Sequence, residues 1–167
     1  MIYIPFEIFP QLDNGHILLR EVGLGDLQDL IPISFYDGKA AKDLEEAKEF
    51  NERIRNDYLN GHTIHWMITL KGEDIVLGTC GFYRGFKDNV GEIGYVMKES
   101  SRGKGLMTEA ISLIVDFGFE KLTLSEIYAV TEESNLPSRK ILEGQGFILK
   151  DKHDSSSLKY VLSRFSE

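Results

Sequence analysis

EIGYVMKESSRGKGLMTEAISLIVDFGF, Glu92 to Phe119, is the stretch whose reading decides the fold. It opens as a strand, passes through a short turn of Gly, Lys and Arg, and continues as an apolar helix. The first amides of a helix have no intrahelical partner and sit at its positive end, so an anion docked there meets backbone donors. Gly103 and Gly105 carry no Cβ, which lets the oxygens of a phosphate approach the main chain. Arg102 and Lys104 add positive charge, and the Arg102 guanidinium can fork onto a phosphate. The same four residues also fit a tight strand-to-helix turn with two solvated basic side chains. Two other phosphate motifs fail: no Gly-Lys-Ser/Thr of a P-loop occurs, and Thr108 stands where a dinucleotide turn needs its third glycine.

Outward from this stretch, the pattern is regular. On its N-terminal side, Ile64, Trp66, Ile68 and Leu70 alternate with more polar residues in HTIHWMITL, the period of a half-buried strand. IVLGTCGFYR and VGEIGYVM follow after the short connections KGED and GFKDN, which implies an antiparallel meander. Earlier still, HILLREV reads as a first strand and GDLQDLIPISF as a short helix. A second helix runs from about Lys42 to Leu59, with Ala47, Phe50, Ile54 and Tyr58 on one face and Gly61 as its stop. The long helix is expected to open at Gly103 and run to about Lys121. Beyond it come the strand SEIYAVT, the helix NLPSRKILEGQG, and two closing strands, FILKDKH and SLKYVLSR. The order βααβββαβαββ predicts an α+β fold, a mostly antiparallel mixed sheet with helices layered on both faces.

One domain spanning residues 1–167 accommodates this, and a chain of that length buries a sizeable core. The net charge of −8 argues against nucleic acid or an anionic membrane as partner. It suits a cationic partner such as an amine, and equally serves solubility. The single cysteine, Cys80, excludes an internal disulfide framework and reads as an inert buried residue. His62 and His65 have the only ligand-like spacing among the histidines, but fall in a strand-like run where residues three apart face opposite sides, so no metal is expected. No apolar run reaches the length of a membrane span. The N-terminal MIYIPFEIFPQL lacks a basic leader and contains Pro5 and Pro10, so a cytoplasmic location is expected.

LLREVGLGDL, EIGYVM, RGKGLMTEA and TEESNLPSRKILEGQGF, in this order and spacing, resemble the GNAT acetyltransferases, and most of all their RimJ/RimL-type branch, which acetylates protein N-termini. The resemblance runs from about His16 to Arg164. It implies acetyl-coenzyme A as co-substrate, with the pyrophosphate on Arg102, Gly103, Lys104, Gly105, Leu106, Met107 and Thr108. The pantetheine then falls to the backbone of Val96 and Met97 and to Asn135, with Ser138 near the thioester sulfur. Two positions depart from the family pattern. Ser100 stands where Gln or Arg is frequent, and Leu142 where many members place a general-acid tyrosine. Phe35, Tyr36, Phe82, Tyr83 and Phe86 lie in regions that flank the acceptor cleft of relatives. Tyr95 reads as either core-facing or cleft-lining.

Direct transfer needs a neutral amine, a stabilised oxyanion and a protonated leaving thiolate. An α-amine with an ordinary pKa near 7.8 costs about 1 kcal/mol to deprotonate at pH 7, and a lysine about 4.6 kcal/mol. Glu92 is the candidate base, directly or through a water, or else a salt-bridged structural carboxylate. A backbone amide near Val96 is the candidate oxyanion donor. Ser138 is the candidate acid, or else forms a hydrogen bond within its helix. The first acceptor expected is a protein N-terminal α-amine. A small amine such as a polyamine, aminoglycoside or amino-acid analogue is the alternative, and a non-catalytic acetyl-coenzyme A-binding module a second. A homodimer is one assembly open to such a chain.

Overall fold

The computed structural model describes residues 4–165, so the first three residues of the apolar N-terminal stretch lie outside them. In chain order the elements are β1 (Leu12–Asp13), β2 (Ile17–Arg20), α1 (Leu27–Leu30), β3 (Phe35–Tyr36), β4 (Lys39–Ala40), α2 (Leu44–Leu59), β5 (Ile64–Leu70), β6 (Gly78–Tyr83), β7 (Val90–Met97), α3 (Leu106–Glu120), β8 (Glu126–Glu132), α4 (Leu136–Gly144), β9 (Ile148–Lys152) and β10 (Ser157–Ser163). With the two-residue strands β1, β3 and β4 set aside, this is the expected order βααβββαβαββ. The main sheet runs β1-β2-β5-β6-β7-β8-β10-β9, and β3 and β4 form a separate hairpin. Every neighbouring pair in the main sheet is antiparallel except β7 and β8. The architecture is a mixed, mostly antiparallel sheet with helices on both faces.

Strand alternation sorts side chains between those faces. Ile64, Trp66 and Ile68 of β5 join the core built with α3, whose buried Met107, Ala110, Ile111 and Ile114 recur every three to four residues. Met67, on the opposite face, packs with Leu27, Leu30 and Ile33 around α1. Trp66 meets the Phe117 ring edge-on at 5.3 Å and donates from Nε1 to the Pro10 carbonyl at 2.7 Å. Full burial of that indole is thus matched by a partner for its one donor. The start of α2 is held by Asp43, whose side chain accepts from the Glu46 amide at 2.9 Å.

β7 and β8 part company after three residues. Val90, Gly91 and Glu92 pair with Glu126, Ile127 and Tyr128, and beyond them the strands diverge. Each is held on its far side: β7 pairs with β6 from Glu92 to Met97, and β8 pairs with β10 along all seven of its residues. The gap is therefore a fixed feature of two anchored strands. It opens toward the turn that leads into α3.

Three sequence expectations need correction. The long helix opens at Leu106, three residues after Gly103, because Gly103 and Gly105 both sit at φ 76° and cannot belong to a right-handed helix. The third expected strand starts at Gly78, since Ile75, Val76 and Leu77 precede the ladder. His62 lies before β5, so only His65 belongs to the strand.

Candidate active site

Backbone groups along β7 point alternately toward β6 and toward the gap. The Lys98 amide donates to the Leu77 carbonyl at 2.8 Å, on the β6 side. The Val96 carbonyl points the same way, within 2.5 Å of where a Cβ on Gly78 would stand. Even-numbered residues of this stretch are therefore paired with β6, and the amides of Tyr95 and Met97 turn to the gap. The expected backbone role of Met97 fits that orientation. Val96 turns its own amide to β6, and the neighbouring Tyr95 turns its amide to the gap, because backbone groups alternate along the strand. The Met97 carbonyl accepts from Arg102 Nε at 3.2 Å, which ties the α3 turn to the end of the strand.

The turn itself is built from main chain. Gly105 caps α3 in the left-handed conformation and no side chain caps the helix, so the amides of its first turn have no intrahelical partner. A Cβ built on Gly103 or on Gly105 would meet no protein atom within 4 Å. Both glycines are demanded by backbone conformation, and both leave the space in front of the amides open. Arg102 and Lys104 are exposed beside it, Leu106 and Met107 are buried beneath it, and Thr108 lies on the exposed side of the helix's first turn. A diphosphate fits such a place: open main-chain donors, a helix start and two cations.

Across the gap, α4 is capped by Asn135, whose Oδ1 accepts from the Ser138 amide at 3.3 Å. Ser138 is buried, and its hydroxyl makes no bond within the helix. Its Oγ accepts from Thr131 Oγ1 of β8 at 2.9 Å and lies 2.6 Å from the Tyr95 hydroxyl of β7. Burial raises the Tyr95 phenol above its ordinary pKa. Leu142 is fully buried in the core, and the phenol that reaches Ser138 comes from β7.

On the sheet face opposite α3 lies a cavity of about 800 Å³. Its floor includes His65, Thr79, Tyr83 and Gly94, and Tyr95 and Val96 form the end nearest the gap. Phe35, Tyr36, Ile54 and Asp57 belong to the walls, with the Tyr36 hydroxyl donating to Asp57 Oδ2 at 2.9 Å. Of the five aromatics expected near the cleft, Phe35, Tyr36 and Tyr83 line the cavity. Phe82 faces the core and stacks against Phe86 at 5.9 Å.

Glu92 has the salt-bridged setting, one of the two expected for it. Its Oε1 accepts from Arg84 at 2.8 Å and its Oε2 from the Tyr128 hydroxyl at 2.9 Å, and it is not among the residues lining the cavity. Burial, with the Glu92 hydrogen bond added, pushes the Tyr128 phenol up to about 12. One bond on each oxygen ties Glu92 to Arg84 at the cavity rim and to Tyr128 of β8, and each oxygen keeps a further lone pair. Cys80 is buried, and burial raises its thiol pKa. Among the described residues no group of three or more His, Cys, Asp or Glu side chains is arranged to hold a metal, and no helix is long and apolar enough to cross a membrane.

Sequence reasoning weighed His65 only as a metal ligand and left Tyr95 undecided. Nothing in local pattern marks either, since each is defined by a partner on another strand or helix.

Comparison with known proteins matches residues 16–148 to the family model described as an acetyltransferase (GNAT) domain. An uncharacterized N-acetyltransferase, p20, of Bacillus licheniformis is 36% identical over 106 residues, covering 63% of this chain and 60% of that protein. The chain thus matches less than two thirds of the length of this relative. Among solved structures, the ribosomal-protein α-N-acetyltransferase RimL in complex with coenzyme A superposes with a TM-score of 0.80 at 15% identity, over 94% of this chain and 98% of that one. The dodecameric spermidine N-acetyltransferase of Vibrio cholerae superposes with a TM-score of 0.75 at 16% identity, over 90% of this chain and 95% of that one.

Proposed function

The chain belongs to the GNAT acetyltransferase family, and from that premise we propose that it is an acetyl-coenzyme A-dependent N-acetyltransferase, acting directly on a primary amine. One observation carries the reading: the open glycine turn at the start of α3 is continuous with the gap between β7 and β8. When bound, acetyl-coenzyme A supplies an activated acetyl thioester. Gly103, Lys104, Gly105, Leu106, Met107 and Thr108 would offer amides to its pyrophosphate, with Arg102 and Lys104 balancing the charge. The amides of Tyr95 and Met97 would hold the pantetheine along β7, assisted by the Asn135 side chain. At the thioester, a strand amide turned to the gap is placed to stabilise the oxyanion. Ser138 is placed to protonate the leaving sulfur. A thiolate with an ordinary pKa near 8.5 requires only modest help.

The acceptor we favour is the α-amine of a protein N-terminus, as in the RimJ/RimL-type branch, and the likeness to RimL over nearly the whole chain supports it. Such an amine reaches its neutral form at a cost of about 1 kcal/mol at pH 7, which suits a site where Glu92 is already engaged. A second reading, a small polycationic amine, is favoured by Asp37 and Asp57, both of which line the cavity and make it attractive to cations. Thiol release from acetyl-coenzyme A is the test, against peptides beginning Ser, Ala or Met and against polyamines. Turnover of peptides supports the first reading. Robust turnover of polyamines with none of peptides reverses the order. Tight acetyl-coenzyme A binding with no thiol release on any amine marks a binding module.

A further inference from the structure

We propose that Tyr83 and His65 form the proton acceptor for the incoming amine, a role that rests on the acetyl-transfer reading above. The register of the sheet builds this pair. His65 stands opposite Gly81 in the β5–β6 ladder, and Gly81 stands opposite Gly94 in the β6–β7 ladder. Tyr83, two residues beyond Gly81, shares their face. A Cβ on Gly94 would lie 3.1 Å from the Tyr83 ring, and one on Gly81 would lie 3.0 Å from the Tyr83 hydroxyl. The two facing glycines form a trough in the cavity floor, the tyrosine ring lies along it, and its hydroxyl ends 2.6 Å from His65 Nδ1. One end of the trough, Gly94, adjoins Tyr95, whose amide faces the gap between the strands. The dyad thus lies in the floor of the acceptor cavity, with the Tyr83 ring over Gly94 of the strand whose next residue turns its amide to the gap. Glu92, by contrast, is bound on both oxygens away from that lining.

Hydrogen accounting gives the pair a direction. Burial holds the His65 imidazole down at about 4, so it is neutral near pH 7, and burial raises the Tyr83 phenol well above its ordinary value, so it stays protonated. In the tautomer this role requires, the phenol donates to Nδ1, the imidazole hydrogen resides on Nε2, and the Tyr83 oxygen keeps the capacity to accept. As the neutral amine nitrogen bonds to the thioester carbonyl carbon, its surplus proton passes to Tyr83 Oη while the phenol proton passes to His65 Nδ1. The carbon–sulfur bond breaks with its electron pair on sulfur, which gains a proton from the Ser138 hydroxyl. His65 then releases its proton to water and Ser138 regains one from it, so the proton count closes. A weakly basic imidazole suits this step, because the proton it receives comes from an acylating nitrogen and not from a free ammonium ion.

The test is Tyr83→Phe in the full chain, which keeps the ring in its trough and removes only the hydroxyl, with His65→Gln as a second variant. With wild type as control and an amine that it acetylates, Tyr83→Phe is expected to lower kcat by roughly 100-fold. The KM for acetyl-coenzyme A and the thermal midpoint should stay near wild type. The deficit should shrink at least several-fold with methoxyamine, whose nitrogen is far less basic and yields its proton more readily, a change a purely structural role would not produce. A Tyr83→Phe enzyme within about threefold of wild-type kcat, or an equal deficit on both acceptors, overturns the dyad while leaving acetyl transfer intact. A wild-type protein that acetylates no amine at all overturns both the activity and the dyad.

Discussion

The Tyr95 hydroxyl lies 2.6 Å from Ser138 Oγ, which also accepts from Thr131 at 2.9 Å, so one hydroxyl of α4 ties β7 to β8 where the two strands part. A serine hydroxyl carries one hydrogen and two acceptor lone pairs. Either hydroxyl of the Tyr95–Ser138 pair can donate, and where Tyr95 donates alongside Thr131 the Ser138 hydrogen is left to point at a third group. Tyr95→Phe should therefore lower kcat by about 10-fold, the value of one hydrogen bond, and Ser138→Ala should lower it further. Initial rates paired with calorimetry check this, since acetyl-coenzyme A affinity should stay within about twofold. Unchanged kcat in both variants would remove the hydroxyl cluster from the chemistry.

Glu92 offers a contrasting expectation. It is largely buried, with 12% of its side chain exposed, and it anchors an Arg84 that is 65% exposed. Glu92→Gln should leave kcat within about threefold of wild type and cost about 1 kcal/mol of stability, since it weakens one ion pair and one phenol hydrogen bond. Urea denaturation and initial rates measure the two quantities separately. A large fall in kcat that recovers with rising pH would restore Glu92 as the base.

What the sequence made legible was whatever local pattern controls. The α3 helix, the meander and the strand–helix–strand crossover all follow from period and punctuation, and Gly103 and Gly105 marked the turn between strand and helix correctly. Their positive φ then moved the helix start to Leu106, a detail that composition does not carry. β1, β3 and β4 are two residues long, too short for any period to register. The side of β7 that each amide faces depends on the ladder with β6, so the free donors beside Val96 emerged only from pairing. The Tyr83–His65 contact depends on three strands being in register at Gly81 and Gly94, and no single segment records it.

Acid stability should report His65. The unfolded chain binds its proton near the ordinary 6.5, whereas the folded protein holds off until about 4. Protonation therefore favours unfolding: the stability contributed by keeping this imidazole neutral is complete above pH 6.5 and lost as pH falls toward 4. Between pH 7.5 and 4.5, wild type should lose on the order of 2–3 kcal/mol more than His65→Gln. Chemical denaturation at a series of pH values measures the difference, and it separates His65 from carboxylates such as Asp26, whose loss is common to both proteins. Parallel curves would place His65 in a wetter setting than the cavity floor.

The central claim is that the main-chain cradle at Gly103 and Gly105 holds the diphosphate of acetyl-coenzyme A, and Gly105→Asp tests it most directly. A Cβ at this position meets no protein atom within 4 Å. The left-handed backbone is one that aspartate tolerates at a cost of about 1 kcal/mol, so the variant should fold. Titration calorimetry with acetyl-coenzyme A is predicted to show wild-type binding and at least a roughly 100-fold loss in Gly105→Asp, because the carboxylate fills the cradle and repels the phosphates. A folded variant that binds acetyl-coenzyme A as tightly as wild type would contradict the account.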